Sequence, residues 1–156
     1  MSEKVTATDN QYVLFKLDNE SYGVNILYVE TIEKVMDITR VPYAHYYVEG
    51  VINLRGEVVP VINLRKRFNL PQVEINDESR IIIVSVEDMI VGLLVDSSSE
   101  VLQLDLESID DVSNIKENMK NDYVKGIGKD GERIIILLDL KKILGNTAIN
   151  DENQRI

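Results

Sequence analysis

The second half of this chain repeats the order of the first, and that repetition limits the folds open to it. Tyr47-Val48-Glu49-Gly50-Val51 returns as Tyr123-Val124-Lys125-Gly126-Ile127. A polar turn with glycine follows each time, Leu54-Arg55-Gly56-Glu57 and Lys129-Asp130-Gly131-Glu132. Each turn leads into an apolar run, residues 58–62 or 134–138. Each run ends in a related signature, Asn63-Leu64-Arg65-Lys66-Arg67-Phe68 against Asp139-Leu140-Lys141-Lys142-Ile143-Leu144. The starts correspond as well: residues 12–17, a turn and Tyr22-Gly23-Val24 match residues 81–86, a turn and Val91-Gly92-Leu93. Matched elements in one order point to an internal duplication, with about 70 to 76 residues per copy, the scale of a very small domain.

The repeated elements read as strands. They are short, rich in Val, Ile, Tyr and Phe, and bounded by Asp, Asn, Gly and Glu. Asp18-Asn19-Glu20-Ser21 and Glu87-Asp88 are short enough for hairpin turns. Arg55-Gly56 makes a hairpin tip, since glycine takes positive φ without steric cost. Pro60, inside a strand-like run, belongs at an edge or a bulge, where no ladder donor is missed. Helix is scarce: a turn over residues 25–30 capped by Asn25, and one helical turn closing each half at 64–68 and 140–144. Residues 106–120 have only weak helical periodicity and stay unassigned. The expected fold is all-β with few short helices, as two small five-stranded SH3/OB-like β-barrels related by duplication. Residues 11–150 read as a single domain. Its approximate halves are 11–70 and 80–145, joined through 69–79 around Pro71, with exchange of strands between halves left open. Residues 1–10 and 150–156 read as flexible tails.

Composition narrows the function. A chain of 156 residues can bury a core without staples. It contains no cysteine, which excludes disulfides and thiolate chemistry and suits a reducing compartment. The apolar stretches 81–84, 89–95 and 134–138 fall short of the ~20 residues of a spanning helix. The polar N-terminus lacks the apolar centre of a secretory signal. A net charge of −10 disfavours nucleic acid and anionic lipid. The local basic run Arg65-Lys66-Arg67, with Arg55 nearby, reads as a solvated face. With His45 as the only histidine, neither a catalytic triad nor a histidine-rich metal site can be assembled. Glu107, Asp110 and Asp111 lack the spacing of a calcium loop. Ser97-Ser98-Ser99 has no identifiable base, and Gly126-Ile127-Gly128 lacks a dinucleotide fingerprint. No enzyme, metal or cofactor is expected.

The stretch Gly50-Val51-Ile52-Asn53-Leu54-Arg55-Gly56-Glu57-Val58-Val59-Pro60-Val61-Ile62-Asn63-Leu64-Arg65 resembles the signature of the chemotaxis coupling protein family, CheW. Tyr22-Gly23-Val24 followed by Ile26-Leu27-Tyr28-Val29 resembles it too. So does Val91-Gly92-Leu93-Leu94-Val95-Asp96 followed by Glu100-Val101-Leu102. The likeness runs from about residue 11 to 144. It implies a non-catalytic cytoplasmic adaptor, without cofactor, that couples chemoreceptors to the chemotaxis histidine kinase CheA. The partners would be the helical cytoplasmic tip of the receptor and the regulatory domain of the kinase. The adaptor would reach receptor arrays through them rather than by membrane insertion.

By family position, a receptor groove would use Ile26, Val29, Ile32, Arg55, Val58 and Val101, and a kinase contact would use Ile38, Val41 and Pro42. Three positions depart from the family pattern. Thr31 stands where a glutamate is frequent, with Glu30 or Glu33 as substitutes; Ser98 replaces an aliphatic residue; Asn63 replaces an aspartate. The alternatives are a small barrel that binds nucleic acid, a carboxylate hydrolase, and a CheW relative serving a non-chemotactic array.

Overall fold

The structure, a computed structural model, describes residues 10–110 and 123–145. The described chain runs β1 (Gln11–Leu17), β2 (Glu20–Asn25), β3 (Val29–Lys34), β4 (Val48–Leu54), β5 (Glu57–Asn63) and helix α1 (Leu64–Arg67). It continues with β6 (Arg80–Val86), β7 (Met89–Val95), β8 (Ser97–Gln103), β9 (Ile109–Asp110), β10 (Val124–Asp130), β11 (Arg133–Leu138) and helix α2 (Leu140–Leu144). Single 3₁₀ turns at Ile26–Tyr28 and Leu106–Ser108 lead into β3 and β9. Most of the expected tails, residues 1–9 and 150–156, and most of the unassigned 106–120 segment lie outside the described residues, whereas the Asn10 carbonyl accepts from the Leu104 amide at 2.9 Å.

Tight turns of mirror-image hand fix the register of the hairpins. Asp18 and Asn19 have φ of 54° and 70°, Arg55 and Gly56 50° and 89°, Glu87 and Asp88 49° and 69°. Two successive residues at positive φ match the right-handed twist of the flanking strands. Asn, Asp and Gly tolerate that region best.

The hairpins then cross over between the halves. One sheet has the order β8-β1-β2-β11-β10-β9, the other β3-β6-β7-β5-β4. The β1–β2 hairpin of the first copy therefore completes the sheet of the second, and β6–β7 completes that of the first. The joints are the parallel pairs β2 with β11 and β5 with β7. In each sheet the chain itself joins the two edges. Beyond β3 the chain returns at Thr39, which exchanges two 2.8 Å backbone hydrogen bonds with Val51 of β4. In the other sheet, edge strands β8 and β9 belong to one continuous run through the Leu106–Ser108 turn. Thr39 and β9 occupy equivalent places in the two copies.

Among the described residues three apolar clusters result. One fills the β3–β7 barrel around Ile52, Val59, Val61, Ile81, Ile83 and Leu94. One fills the other around Tyr12, Leu14, Leu104, Ile135 and Leu137. The largest lies at the seam between them and includes Val13, Phe15, Ile62, Ile82, Val84, Leu93 and the helical residues Leu64, Leu140 and Ile143. Alternate residues of β1 and β6 thus face a barrel interior and the seam. Both faces are covered, which is why these strands read as unbroken apolar runs rather than as alternating ones.

The helical turns fall where expected and are capped. Asn63 accepts from the Lys66 amide at 3.2 Å, and Asp139 from the Lys142 amide at 3.2 Å. Pro60 is a correction: β5 has neighbours on both sides, so the proline is not on an edge strand. Val51, opposite it, gives both backbone groups to Thr39. The proline nitrogen therefore points away from β4, in the stretch before β5 meets β7 at Val61. No ladder bond is lost.

Candidate docking surfaces

Directly opposed residues of an antiparallel ladder project to the same side. Val29 faces Val84 and Ile32 faces Ile82, both partners being seam residues. Val101 faces Val13, also a seam residue. Val29 and Ile32 therefore line the seam side of outer strand β3, and Val101 lines that of β8. Ile26 joins them from the 3₁₀ turn, where Asn25 Oδ1 accepts from the Leu27 amide at 2.8 Å and the turn lies beside β1 and β6. Ile26 and Val29 are half-buried against the seam core. Ile32 and Val101 remain 39% and 48% exposed, too open for ordinary core. Leu27 and Leu106 are exposed apolar side chains on the two 3₁₀ turns. Sequence reasoning missed both, and only the lack of a burying face for these turns could have signalled them.

Arg55 sits at the β4–β5 tip, its side chain 69% exposed, and reaches Glu33 on β3 at 3.4 Å. Glu33 thus supplies the acidic partner missing at Thr31. Thr31 itself faces Ile83 of the barrel interior, and its hydroxyl is buried without a hydrogen-bond partner. Val58 points outward beside the buried Val59 and is 70% exposed. Val58 lies opposite Asn53, beside the hairpin tip that carries Arg55. Ser98 donates its hydroxyl to the Leu14 carbonyl at 2.8 Å, at the bulge in β8 opposite Leu14 and Phe15. This satisfies the polar group on a strand whose family counterpart is aliphatic.

The positions named for the kinase divide. Ile38 packs on the interior of the β3–β7 barrel, next to the Thr39 bridge, and acts as an anchor. Val41 and Pro42 are exposed on the following loop. They line an open cleft of about 540 Å³ with Arg40, Tyr43, Tyr46 and Lys66. Tyr43 is 82% exposed and held at a φ of 66°. An aromatic residue in that region is rare and strained. His45 also belongs to this loop and stacks on Tyr47.

The basic run is not a solvated face. Arg65 is buried, with Nε and Nη2 donating to the two oxygens of Asp96 at 2.9 and 2.6 Å and Nη1 donating to the Pro71 carbonyl. Lys66 pairs with Glu49 at 2.9 Å. Arg67 donates to the Ile143 carbonyl and lies between tyrosine rings. The Arg65 hydrogen bonds hold the Asp96 carboxyl below its usual range. Burial pushes Glu49 up, but hydrogen bonds from Asn63 and Lys66 outweigh it and lower its pKa. Charge reading failed here because the partners lie far away in sequence. Cations already partnered in this way offer no row of contacts to a phosphate backbone. Asp110 pairs with Lys129 at 2.8 Å, and among the described residues no group of three or more His, Asp or Glu side chains could hold a metal ion.

The model of the CheW-like domain matches residues 11–148. The chain belongs to the CheW-like family. It is 36% identical over 137 residues to the chemotaxis protein CheW of Bacillus subtilis, covering 88% of each chain. It is 35% identical over 136 residues to that of Klebsiella aerogenes, covering 87% of this chain and 82% of the relative. The solved structure of the scaffolding protein CheW from Thermoanaerobacter tengcongensis superposes with a TM-score of 0.77 at 36% identity, covering 84% of this chain and 89% of the other. The CheW-like fold accounts for the two interleaved barrels. Among the described residues, no helix is long and apolar enough to cross a membrane.

Proposed function

We propose that this CheW-like chain is a non-catalytic adaptor that couples chemoreceptors to the histidine kinase CheA in cytoplasmic signalling arrays. The observation that carries the reading is the separation of two apolar surfaces. One is the seam edge with Ile26, Val29, Ile32 and Val101; the other is the loop with Val41 and Pro42 beside the tyrosine-lined cleft. An amphipathic receptor helix suits an apolar seam by the helix-in-groove mode. Burial there contributes about 25 cal/mol per Å² before the costs of association. Arg55, exposed and only loosely paired to Glu33, is available for a charge-assisted bond to the same partner. The loop surface suits the regulatory domain of the kinase, with Ile38 anchoring it from inside the barrel.

The test is co-purification with a receptor cytoplasmic fragment and, separately, with the CheA regulatory domain. Ile32→Asp and Val101→Asp should lose the receptor fragment and keep the kinase domain. Val41→Asp should do the reverse. Binding of neither protein by the unaltered chain, or parallel loss of both in every variant, overturns the proposal.

A further inference from the structure

Arg67 occupies a position with no polar counterpart in the second copy, where Ile143 stands. Its guanidinium carbon lies 4.5 Å from the ring centroid of Tyr47 and 4.6 Å from that of Tyr123. Those two tyrosines are the repeated residues that precede β4 and β10, so one ring belongs to each barrel. Nε and Nη2 of Arg67 donate to the Ile143 carbonyl at 3.2 and 3.0 Å, the backbone of its own duplicate position. The backbone that carries each ring is itself fixed. The Tyr47 carbonyl accepts from the Asn63 amide at 2.8 Å and the Tyr123 carbonyl from the Asp139 amide at 2.7 Å, which ties each to the cap of its own helix. Phe68 closes the stack against Tyr123 and Tyr22.

A flat cation between two rings, with a fork of donors at its edge, fixes both distance and angle. A lysine ammonium would keep the charge and lose the plane and the fork. The seam edge is built from both barrels, Ile32 on β3 from one and Val101 on β8 from the other. Its width therefore depends on how the barrels sit together. From this geometry we infer that Arg67 is a positioning residue that sets the width of the seam edge and controls receptor binding without touching the receptor. The second half of this inference rests on the adaptor reading above.

The absence of cysteine makes distance measurement direct, since labels attach only where they are introduced. Spin labels at Lys34→Cys on β3 and Gln103→Cys on β8 report the separation of the strands flanking the seam. Arg67→Gln, Arg67→Lys and Tyr123→Leu should shift or broaden that distance, whereas Tyr123→Phe, which keeps the ring, should preserve it. In the same Arg67 variants receptor-fragment affinity should fall roughly tenfold, the size of a typical coupling between sites. An unchanged distance in Arg67→Gln and Tyr123→Leu overturns the clamp. A changed distance with unchanged receptor affinity overturns its link to binding. If the unaltered protein binds no receptor fragment, the adaptor reading fails, and the distances still decide the clamp. Should Arg67→Gln fail to fold, the Tyr123→Leu and Tyr123→Phe pair carries the same comparison.

Discussion

Arg65 and Asp96 form a forked, largely buried ion pair at the point where the chain leaves one sheet for the other. Asp96 stands between β7 and β8, and its Oδ2 also accepts from the Asp18 amide at 3.0 Å, in the β1–β2 turn. Arg65 approaches Asp18 as well, at 3.7 Å. One pair therefore ties α1, the crossover and the exchanged hairpin. The duplicate of the Arg65–Asp18 contact is Lys141 with Glu87, at 3.6 Å and open to solvent. The cation of this contact is thus buried in one copy, against a half-exposed Asp18, and open to solvent in the other.

Removing one partner of the buried pair leaves an uncompensated charge, so Arg65→Ala should destabilise the protein by about 3 kcal/mol. Lys141→Ala should change stability by less than about 0.5 kcal/mol, as exposed pairs do. Urea unfolding of the two variants checks this. Equal losses would contradict the assigned difference in burial.

The same pair predicts acid sensitivity. Hydrogen bonds from Arg65 hold the Asp96 pKa below its ordinary value of 3.8, and those from Arg133 lower that of Glu100. With the folded pKa below the unfolded one, the unfolded state takes up protons first as pH falls. The stabilisation is whole above the ordinary carboxylate range and is lost as pH drops through the lower, folded values. Asp96→Asn should be less stable at neutral pH yet lose less on acidification. Urea midpoints at neutral pH and below the ordinary Asp value give the comparison, and parallel curves would refute it.

Gly50 has a φ of 150°, and a Cβ there would collide with the Thr39 carbonyl. Gly50→Ala should break the Thr39–Val51 bridge that closes the barrel and cost roughly 3 kcal/mol. Gly56, at a φ of 89° with open space around a built Cβ, is strained only in its backbone. Gly56→Ala should cost about 1 kcal/mol. Thermal or urea melts order the two, and the reverse order would place the closure elsewhere.

Thr31→Val should be neutral or stabilising by about 1 kcal/mol, because the buried hydroxyl makes no hydrogen bond that valine would forfeit. A clear loss of stability in a melt would show that the hydroxyl has a partner after all.

The duplication, the strands, the hairpin tips and the two capped helical turns were legible because each is written in local pattern. The exchange of hairpins was not. A β1–β2 hairpin with apolar residues on both faces is equally complete beside β11 or beside a neighbour from its own copy, and local pattern cannot tell the two apart. The seam placement of Ile32 and Val101 came from family resemblance, since periodicity alone makes them ordinary strand residues. Arg65 was misread for a simpler reason: Asp96, its partner, is too distant in sequence for a charge run to show. Tyr47 and Tyr123 were visible as markers of the repeat, but not as the two walls around Arg67.

With β1–β2 lodged in the second copy's barrel and β6–β7 in the first's, no single cut between residues 69 and 79 releases a closed barrel. Each fragment would carry a borrowed hairpin and lack its own. Two separate ancestral units could meet the same demand by trading hairpins as a homodimer. Gene fusion would then have had only to join chain ends whose strands were already interleaved, leaving one side free to diverge, as Arg67 and Ile143 have.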